Sequence, residues 1–152
     1  MKEPILNEHN KKEYPPMHTA EHLLNATMVK MFGCPRSKNA HIERKKSKCD
    51  YDLQTEPTEE QIRQVESLVN EAIKQHLAVS SCYMRKDEAQ HLVDLTKLPD
   101  DATDTLRIVT IGDYDVCACI GDHVSNTSEI GEFVISSYTY KDGKLRLRFK
   151  LK

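Results

Sequence analysis

Two histidines one helical turn apart are the first residues in this chain whose types and spacing suggest chemistry. His18 and His22 are four residues apart in a segment with helical periodicity, so their imidazoles lie on the same helix face. This spacing lets two ring nitrogens reach one metal ion. The same face lies nearly opposite the apolar stripe of the helix, so both rings are expected to face solvent or a second surface. Alone, the pair indicates either a metal site or two ordinary surface histidines.

A second pair, Cys119 and His123, follows an apolar segment and spans a glycine. A strand that ends at such a turn can aim a thiolate and an imidazole at a common point. With His18 and His22 they supply three nitrogens and one sulfur, a tetrahedral donor set that suits zinc. Cys117 lies on the same strand face and is the alternative sulfur ligand, but its larger separation from His123 favours Cys119. Strand cysteines are also often core thiols, so both can simply be buried.

The length and composition of the chain predict the kind of molecule that positions these residues. With 152 residues, 38% hydrophobic and 30% charged, it is expected to form one soluble domain. Residues 1–16 are polar and are expected to be a loosely held arm, leaving residues 17–152 as the domain. No segment is apolar enough for a membrane helix, and no signal peptide is visible, so a cytoplasmic protein is predicted. Five scattered cysteines argue against a disulfide framework.

Periodicity and turn signals predict two long helices. Apolar residues at helical spacing run from Met17 to Phe32 and stop before Gly33. The second helix starts at Thr58, which has capping-box spacing to Gln61, and is expected to end near Leu77. Both helices carry an apolar stripe, so both are expected to pack on a sheet.

Shorter elements fill the rest of the chain. Residues 40–53 predict a strand or hairpin with a basic tip, and the C-terminus predicts a hairpin that turns at Asp142-Gly143. Strands are predicted at 78–84, 106–111 and 115–120, with a short helix at 86–95 and an acidic loop at 98–105. Long helices with several antiparallel strands predict an α+β fold, a single two-layer domain in which an antiparallel sheet packs with helices.

The charge is segregated along the chain. The formal net charge of -2 argues against a protein that binds nucleic acid through overall basicity. However, residues 36–48 contain six cations and one anion, and residues 141–152 have the same ratio. In the last strand the cations alternate with apolar residues and form a row on one face. Two such blocks can bind a polyanion, or they can merely keep the protein soluble.

The motifs HTAEHLL (residues 18–24) and CIGDHV (119–124), with the following NTSEIGEF (126–133), resemble the editing domain shared by alanyl- and threonyl-tRNA synthetases. The likeness is greatest to the free-standing, AlaX-type form and extends from about residue 17 to the C-terminus. In that family the corresponding His, His, Cys and His hold zinc. The resemblance therefore implies Zn²⁺ bound by four residues: His18, His22, Cys119 and His123.

The resemblance also implies an activity. The family hydrolyses the ester that links a wrong amino acid to tRNA, because a synthetase pocket cannot reject near-isosteric competitors by binding alone. The expected function is a trans-editing hydrolase of mischarged tRNA, with Ser-tRNA(Ala) favoured. Alternatives are a Ser-tRNA(Thr) deacylase, a zinc-stabilised RNA-binding module without hydrolase activity, and a hydrolase of small esters or amides. Phosphate contacts to tRNA are expected from the basic blocks: Arg44, Lys45, Lys46, Lys48, Arg146, Arg148 and Lys150.

Two residues are candidates for a catalytic role. Thr19 matches the family's His-Thr-Ala and would contact the amino acid's hydroxyl or a water, or simply be a solvated helix residue. Asp122 stands where relatives commonly carry threonine, and it would hold the substrate ammonium, orient water or merely cap the turn. Four zinc ligands make a closed site, whereas catalysis usually needs an open position. Either His18 or His123 is displaced by substrate, or the metal positions the substrate while another group orients the attacking water.

Overall fold

The computed structural model describes residues 14–89, 105–119 and 121–152. Its elements are α1 (Pro15–Phe32), β1 (Asn39–His41), β2 (Ser47–Asp52), α2 (Glu59–Lys74), β3 (Val79–Arg85), α3 (Lys86–Ala89), β4 (Thr105–Ile111), β5 (Asp115–Ala118), the 3₁₀ turn η1 (Thr127–Glu129), β6 (Phe133–Lys141) and β7 (Lys144–Leu151). The predicted α+β fold of antiparallel strands packed with helices is confirmed. The described strands form two sheets, β1-β2-β7-β6 and β3-β4-β5.

Helix α1 begins two residues before its predicted start. Pro15 and Pro16 occupy its first turn, where a fixed φ and a missing N–H are tolerated. The predicted N-terminal arm, residues 1–16, stays a prediction, since residues 1–13 lie outside the described residues. The helix stops at Gly33, whose φ of 65° is left-handed. Every residue from Met17 to Met28 is buried, so this part of α1 is covered on all sides, whereas Val29 and Lys30 are exposed.

The four-stranded sheet and both long helices enclose the main core. Leu145, Leu147 and Phe149 of β7 are buried, as their alternation predicts. The hairpin that joins β6 to β7 turns at Asp142 and Gly143, whose φ angles of 51° and 79° suit a two-residue turn. The cations between the core residues of β7 therefore project from the outer face of this sheet, away from the helices.

The predicted N-terminal capping box of α2 is confirmed. The Thr58 hydroxyl accepts the Gln61 N–H at 3.1 Å, and the Gln61 side chain accepts the Thr58 N–H at 2.9 Å. The helix ends at Lys74 rather than near Leu77, because the chain turns into a left-handed conformation at His76, with a φ of 53°. No helix of the described residues is long and apolar enough to cross a membrane.

The three-stranded sheet contacts α1 through β5. Val109 and Ile111 of its middle strand are buried, and Ile108 belongs to a small separate cluster with Ala89. The predicted helix at 86–95 is seen as α3, Lys86–Ala89, and its remainder lies outside the described residues, as does the predicted loop up to residue 104. This sheet provides the second surface against which α1 places its histidines.

Candidate metal centre

The two predicted pairs meet between α1 and the end of β5. His18, His22, Cys119 and His123 each place one donor atom within 4.8 Å of every other. The rings of His18 and His123 are stacked with centroids 4.0 Å apart, and the ring of His22 stands edge-on to both, at 5.0 and 4.6 Å. His18 Nε2 lies 3.2 Å from Cys119 Sγ. The structure thus brings together all four residues that the sequence analysis proposed as ligands.

The histidines of α1 are buried, with 4% of His18 and 3% of His22 exposed. Of the two surroundings expected for them, the second surface is found, and the expectation of solvent is wrong. The reason is that β5 covers the helix face opposite the main core. Buried imidazole nitrogens usually have hydrogen-bond partners, and the type of partner shows which nitrogen carries the proton.

The ring of His18 is fixed by a backbone carbonyl. Its Nδ1 lies 3.0 Å from the carbonyl oxygen of Asp122. Because a carbonyl can only accept, Nδ1 carries the proton and donates. In a neutral ring the lone pair then lies on Nε2, the nitrogen that faces Cys119. A metal-bound histidine is typically held in this way by its second nitrogen.

The Thr19 hydroxyl fixes the ring of His123 through its Nδ1. It donates to the Pro15 carbonyl at 3.0 Å and accepts the Val124 N–H at 3.2 Å. Its remaining lone pair faces His123 Nδ1 at 3.0 Å, so Nδ1 donates. All hydrogen-bonding positions of this buried hydroxyl are therefore taken, and it is not the solvated group considered from sequence. Contact between Thr19 and substrate stays a prediction.

The other nitrogen of His123 supports metal binding. His123 Nε2 is buried and has no hydrogen-bond partner among the described residues. With Nδ1 protonated, Nε2 bears the lone pair, and a buried acceptor without a donor is costly. A metal ion held with the other three donors would satisfy it. Three imidazole nitrogens and one thiolate make a tetrahedral, borderline-soft donor set that suits zinc, so the residues fit the proposed ion.

A second group of donors supports His22. Its Nδ1 lies 2.9 Å from Cys117 Sγ and 3.4 Å from Asp115 Oδ2. Arg36 binds both Asp115 oxygens, at 2.7 and 3.1 Å. His22, Asp115 and Cys117 could by themselves hold a cation, but the guanidinium already occupies the carboxylate and would repel one. We therefore interpret this group as an outer support for His22, and Cys117 as part of it.

Sequence reasoning missed Asp115 and Arg36. Asp115 lies on the strand face that carries Cys117 and Cys119, and this alternation is the signal that could have found it. Arg36 gave no local signal, because it follows the end of α1 and reaches β5 only through the tertiary fold.

The electrostatics of the site distinguish His22 from His123. Burial alone would lower the pKa of His22, but the Cys117 thiolate and Asp115 outweigh burial and raise the pKa to about 10. A hydrogen bond from Cys119, helped by His22, lowers the pKa of the Cys117 thiol to about 5. Burial and the nearby His22 hold the pKa of His123 well below its usual value. His22 thus has an anionic acceptor for its Nδ1 proton but must lose its Nε2 proton to bind a metal, whereas His123 is already neutral, the form that binds metals.

The loop between Cys119 and His123 is anchored by Arg107. Its Nη1 donates to the Gly121 carbonyl at 2.6 Å, and Gly121 has a φ of 109°, which favours glycine. Asp122 is exposed at this loop, and its observed contact with the cluster is the backbone carbonyl bound to His18. The catalytic role of its carboxylate stays a prediction.

The predicted tRNA-binding cations lie in two places. Arg44, Lys45 and Lys46 are exposed at the tip of the β1–β2 hairpin. The Arg44 guanidinium lies 4.4 Å above the ring of Tyr14, the N-cap residue of α1. This tip therefore lies beside the end of α1 that carries His18.

The remaining cations, Lys48, Arg146, Arg148 and Lys150, lie on the outer face of the four-stranded sheet. Arg146 binds both oxygens of Asp50, at 2.7 and 3.0 Å, and Arg148 reaches the Ser137 hydroxyl at 3.4 Å. Lys144 pairs with Asp52 at 2.7 Å. The carboxylates of β2, Asp50 and Asp52, thus partly neutralise the predicted row of cations on β7. The sequence could not show this, because the register between β2 and β7 depends on contacts between distant segments.

Comparison with known proteins gives one consistent relationship. The family described as threonyl and alanyl tRNA synthetase second additional domain matches residues 106–147, which include Cys119 and His123. An alanine–tRNA ligase of Methanococcus maripaludis strain C6 is 30% identical over 148 residues, covering 95% of this chain and 17% of the ligase.

Two further alanine–tRNA ligases show the same likeness. That of Blochmanniella floridana is 31% identical over 132 residues, covering 86% of this chain and 15% of the ligase. That of Ligilactobacillus salivarius is 32% identical over 121 residues, covering 79% of this chain and 14% of the ligase. The chain therefore spans less than one fifth of the length of these curated relatives.

Proposed function

The chain belongs to the family of the threonyl and alanyl tRNA synthetase second additional domain, and from this premise we propose that it is an editing hydrolase that deacylates mischarged tRNA. The observation that carries the proposal is the converging donor cluster, in which the buried Nε2 of His123 has no hydrogen-bond partner among the described residues. A buried, preorganised metal centre at the end of a helix and a strand is suited to chemistry on a bound ester.

We assign the zinc ligands as His18, His22, Cys119 and His123. When bound, zinc would supply a Lewis acid for the ester carbonyl, which requires that His18 or His123 leave one coordination position to the substrate. The protein's own groups set the geometry: the Asp122 carbonyl and the Thr19 hydroxyl each hold one imidazole by its Nδ1 proton. Preorganised ligands of this kind lose little entropy when substrate arrives.

The favoured substrate is Ser-tRNA(Ala), acted on in trans. The relatives that cover most of this chain are alanine–tRNA ligases, and a pocket for alanine cannot strongly reject serine by binding alone. In this proposal the exposed Asp122 carboxylate holds the aminoacyl ammonium. The family also includes threonyl-tRNA synthetases, so Ser-tRNA(Thr) is the second candidate.

The tRNA approaches over the β1–β2 hairpin. Its exposed tip cations lie beside the start of α1, whereas Arg146 on the outer sheet face is paired with Asp50. Phosphate contacts from the tip would position the acceptor end without reading its sequence. Lys48, Arg148 and Lys150 would extend this contact along the outer face.

A deacylation panel tests the proposal. Zinc-loaded protein is incubated with Ser-tRNA(Ala), Ser-tRNA(Thr), Gly-tRNA(Ala) and the correctly charged Ala-tRNA(Ala) and Thr-tRNA(Thr). We expect Ser-tRNA(Ala) to be hydrolysed and the correctly charged tRNAs to survive. Binding of tRNA without hydrolysis of any ester would contradict the proposal and indicate an RNA-binding module. Hydrolysis of simple serine esters at the same rate would indicate a small-ester hydrolase.

A further inference from the structure

Three side chains form a row from the candidate metal centre to β3, the edge strand of the second sheet among the described residues. Cys119 lies opposite Arg107, because its N–H donates to the Arg107 carbonyl at 3.0 Å, and Arg107 pairs with Tyr83 of β3. Residues directly opposite one another in an antiparallel sheet project to the same face. With strands about 4.8 Å apart, Tyr83 lies about 10 Å from Cys119. The row therefore begins at a proposed zinc ligand and ends at a surface aromatic.

Tyr83 is not required by the core. Its side chain is 41% exposed, which makes it one of three exposed large hydrophobic residues in the part of the chain that the structure describes. It belongs to neither apolar cluster of the described residues. β3 is an edge strand, and its residues on the same face, Ser81 and Arg85, are exposed too. A ring with an accessible face can stack on a nucleic-acid base.

Arg107 places a fixed positive charge between the cluster and this ring. Its guanidinium is held by the Gly121 carbonyl at 2.6 Å, within the loop that carries the ligands. Arg85 adds a second guanidinium on the same face, partly offset by Asp87 at 3.4 Å. An aromatic ring next to guanidinium groups is a combination with which proteins bind unpaired RNA ends.

We propose that Tyr83 and Arg107 form the subsite for the 3′-terminal nucleotide of the RNA. The terminal base stacks on Tyr83, and Arg107 pairs with the sugar–phosphate oxygens. The single ribose between an ester carbonyl and its base spans the short row from Cys119 to Tyr83. This inference rests on the proposed function, because it takes the ester-bearing end of the RNA to lie at the metal centre.

Binding of uncharged RNA tests the subsite without requiring hydrolysis. The probes are two fluorescent acceptor-stem hairpins, one with the complete CCA end and one without the terminal adenosine. We expect Tyr83→Ala to weaken binding of the complete hairpin roughly five- to a hundredfold, the range for loss of one base–aromatic stack. Tyr83→Phe should bind like the parent because it keeps the ring. Cys82→Ala, exposed on the opposite face of β3, is the matched control and should also be unchanged.

The truncated hairpin decides the assignment. It should bind the parent and Tyr83→Ala equally, because the nucleotide that would stack is missing. Equal binding of the complete hairpin by the parent and a folded Tyr83→Ala would overturn the subsite. So would a loss of affinity that is the same for both hairpins, since the ring would then contact another part of the RNA.

Deacylation by the same proteins separates this inference from the proposed function. If the parent hydrolyses Ser-tRNA(Ala) and Tyr83→Ala does so with unchanged KM, the subsite is overturned while the function stands. If the parent hydrolyses no ester, but the terminal adenosine still strengthens binding through Tyr83, the subsite stands and the proposed function fails.

Discussion

Each histidine of the candidate centre commits its Nδ1 to another group. The partner is a backbone carbonyl for His18, a thiol and a carboxylate for His22, and a hydroxyl for His123. This leaves Nε2 of each ring as the nitrogen for a metal, and the Nε2 of His22 must first lose its proton. The four candidate donors could be singled out from sequence because their spacing is local, four residues in each pair. Among their supporting groups, Thr19 and Asp122 were singled out from sequence for other roles, and strand alternation could have found Asp115. Arg36 was not predictable, because it reaches Asp115 only through the tertiary fold.

Zinc content provides the first test at this scale. We expect one zinc per chain in the parent, loss of zinc in Cys119→Ala, and full zinc in Cys82→Ala, whose side chain is exposed and is not one of the grouped donors. Inductively coupled plasma mass spectrometry of dialysed protein measures the stoichiometry. Retained zinc in Cys119→Ala, with loss of zinc in Cys117→Ala, would make Cys117 the ligand.

The second prediction concerns Asp115, which contacts the Nδ1 of His22. Asp115→Asn removes the charge that Arg36 and His22 share, and disturbed support of a metal ligand typically costs ten- to a hundredfold in affinity. Competition with a chromophoric chelator measures the zinc affinity. Asp52→Asn, which removes an exposed ion pair with Lys144 on the outer sheet, is the control and should bind zinc like the parent. Parent-like affinity in Asp115→Asn would refute the supporting role.

Asp122 makes the third prediction. Asp122→Asn and Asp122→Thr both keep the backbone carbonyl that holds His18, so both should retain zinc. If the carboxylate holds the substrate ammonium, kcat/KM for Ser-tRNA(Ala) should fall by more than the few-fold change of a surface substitution. A mere turn cap would instead cost about 1 kcal/mol of stability and leave the kinetics unchanged. Steady-state deacylation and thermal melting distinguish the two outcomes.

At the scale of elements, local signals predicted most of the fold. The capping box of α2, the glycine stop of α1 and the alternation in β7 were each visible in the sequence and are each present. Local signals could not show that the strands divide into two sheets, because strand partners are set by contacts between distant segments. For the same reason the burial of α1 from Met17 to Met28, and of its two histidines, could only be seen in the structure.

The two basic surfaces give a prediction for whole elements. The hairpin tip is exposed and next to α1, whereas the outer sheet face is partly neutralised by Asp50 and Asp52. Lys45→Gln with Lys46→Gln should therefore raise the KM for tRNA more than Arg148→Gln with Lys150→Gln. The double tip variant should also reduce the salt dependence of KM, as expected when phosphate contacts are lost. A larger effect from the sheet variant would place the RNA on the outer face.

At the scale of the whole molecule, the site depends on the complete fold. Its two ligand pairs are joined by contacts between residues 101 positions apart, and α1 lies between the main core and the three-stranded sheet. A short helix–strand pair could not bury four ligands in this way. The overall charge of -2 is compatible with RNA binding only because the cations are gathered at particular surfaces.

The most direct test of the account is deacylation of Ser-tRNA(Ala) during zinc titration. Protein stripped by a chelator is titrated with zinc, and hydrolysis is measured in the parent and in Cys119→Ala. We predict that the parent's rate rises with bound zinc and saturates at one equivalent, while Cys119→Ala stays inactive and Cys82→Ala follows the parent. Full hydrolysis by the stripped parent, or parent-like hydrolysis by Cys119→Ala, would contradict the assignment of this cluster as the editing site.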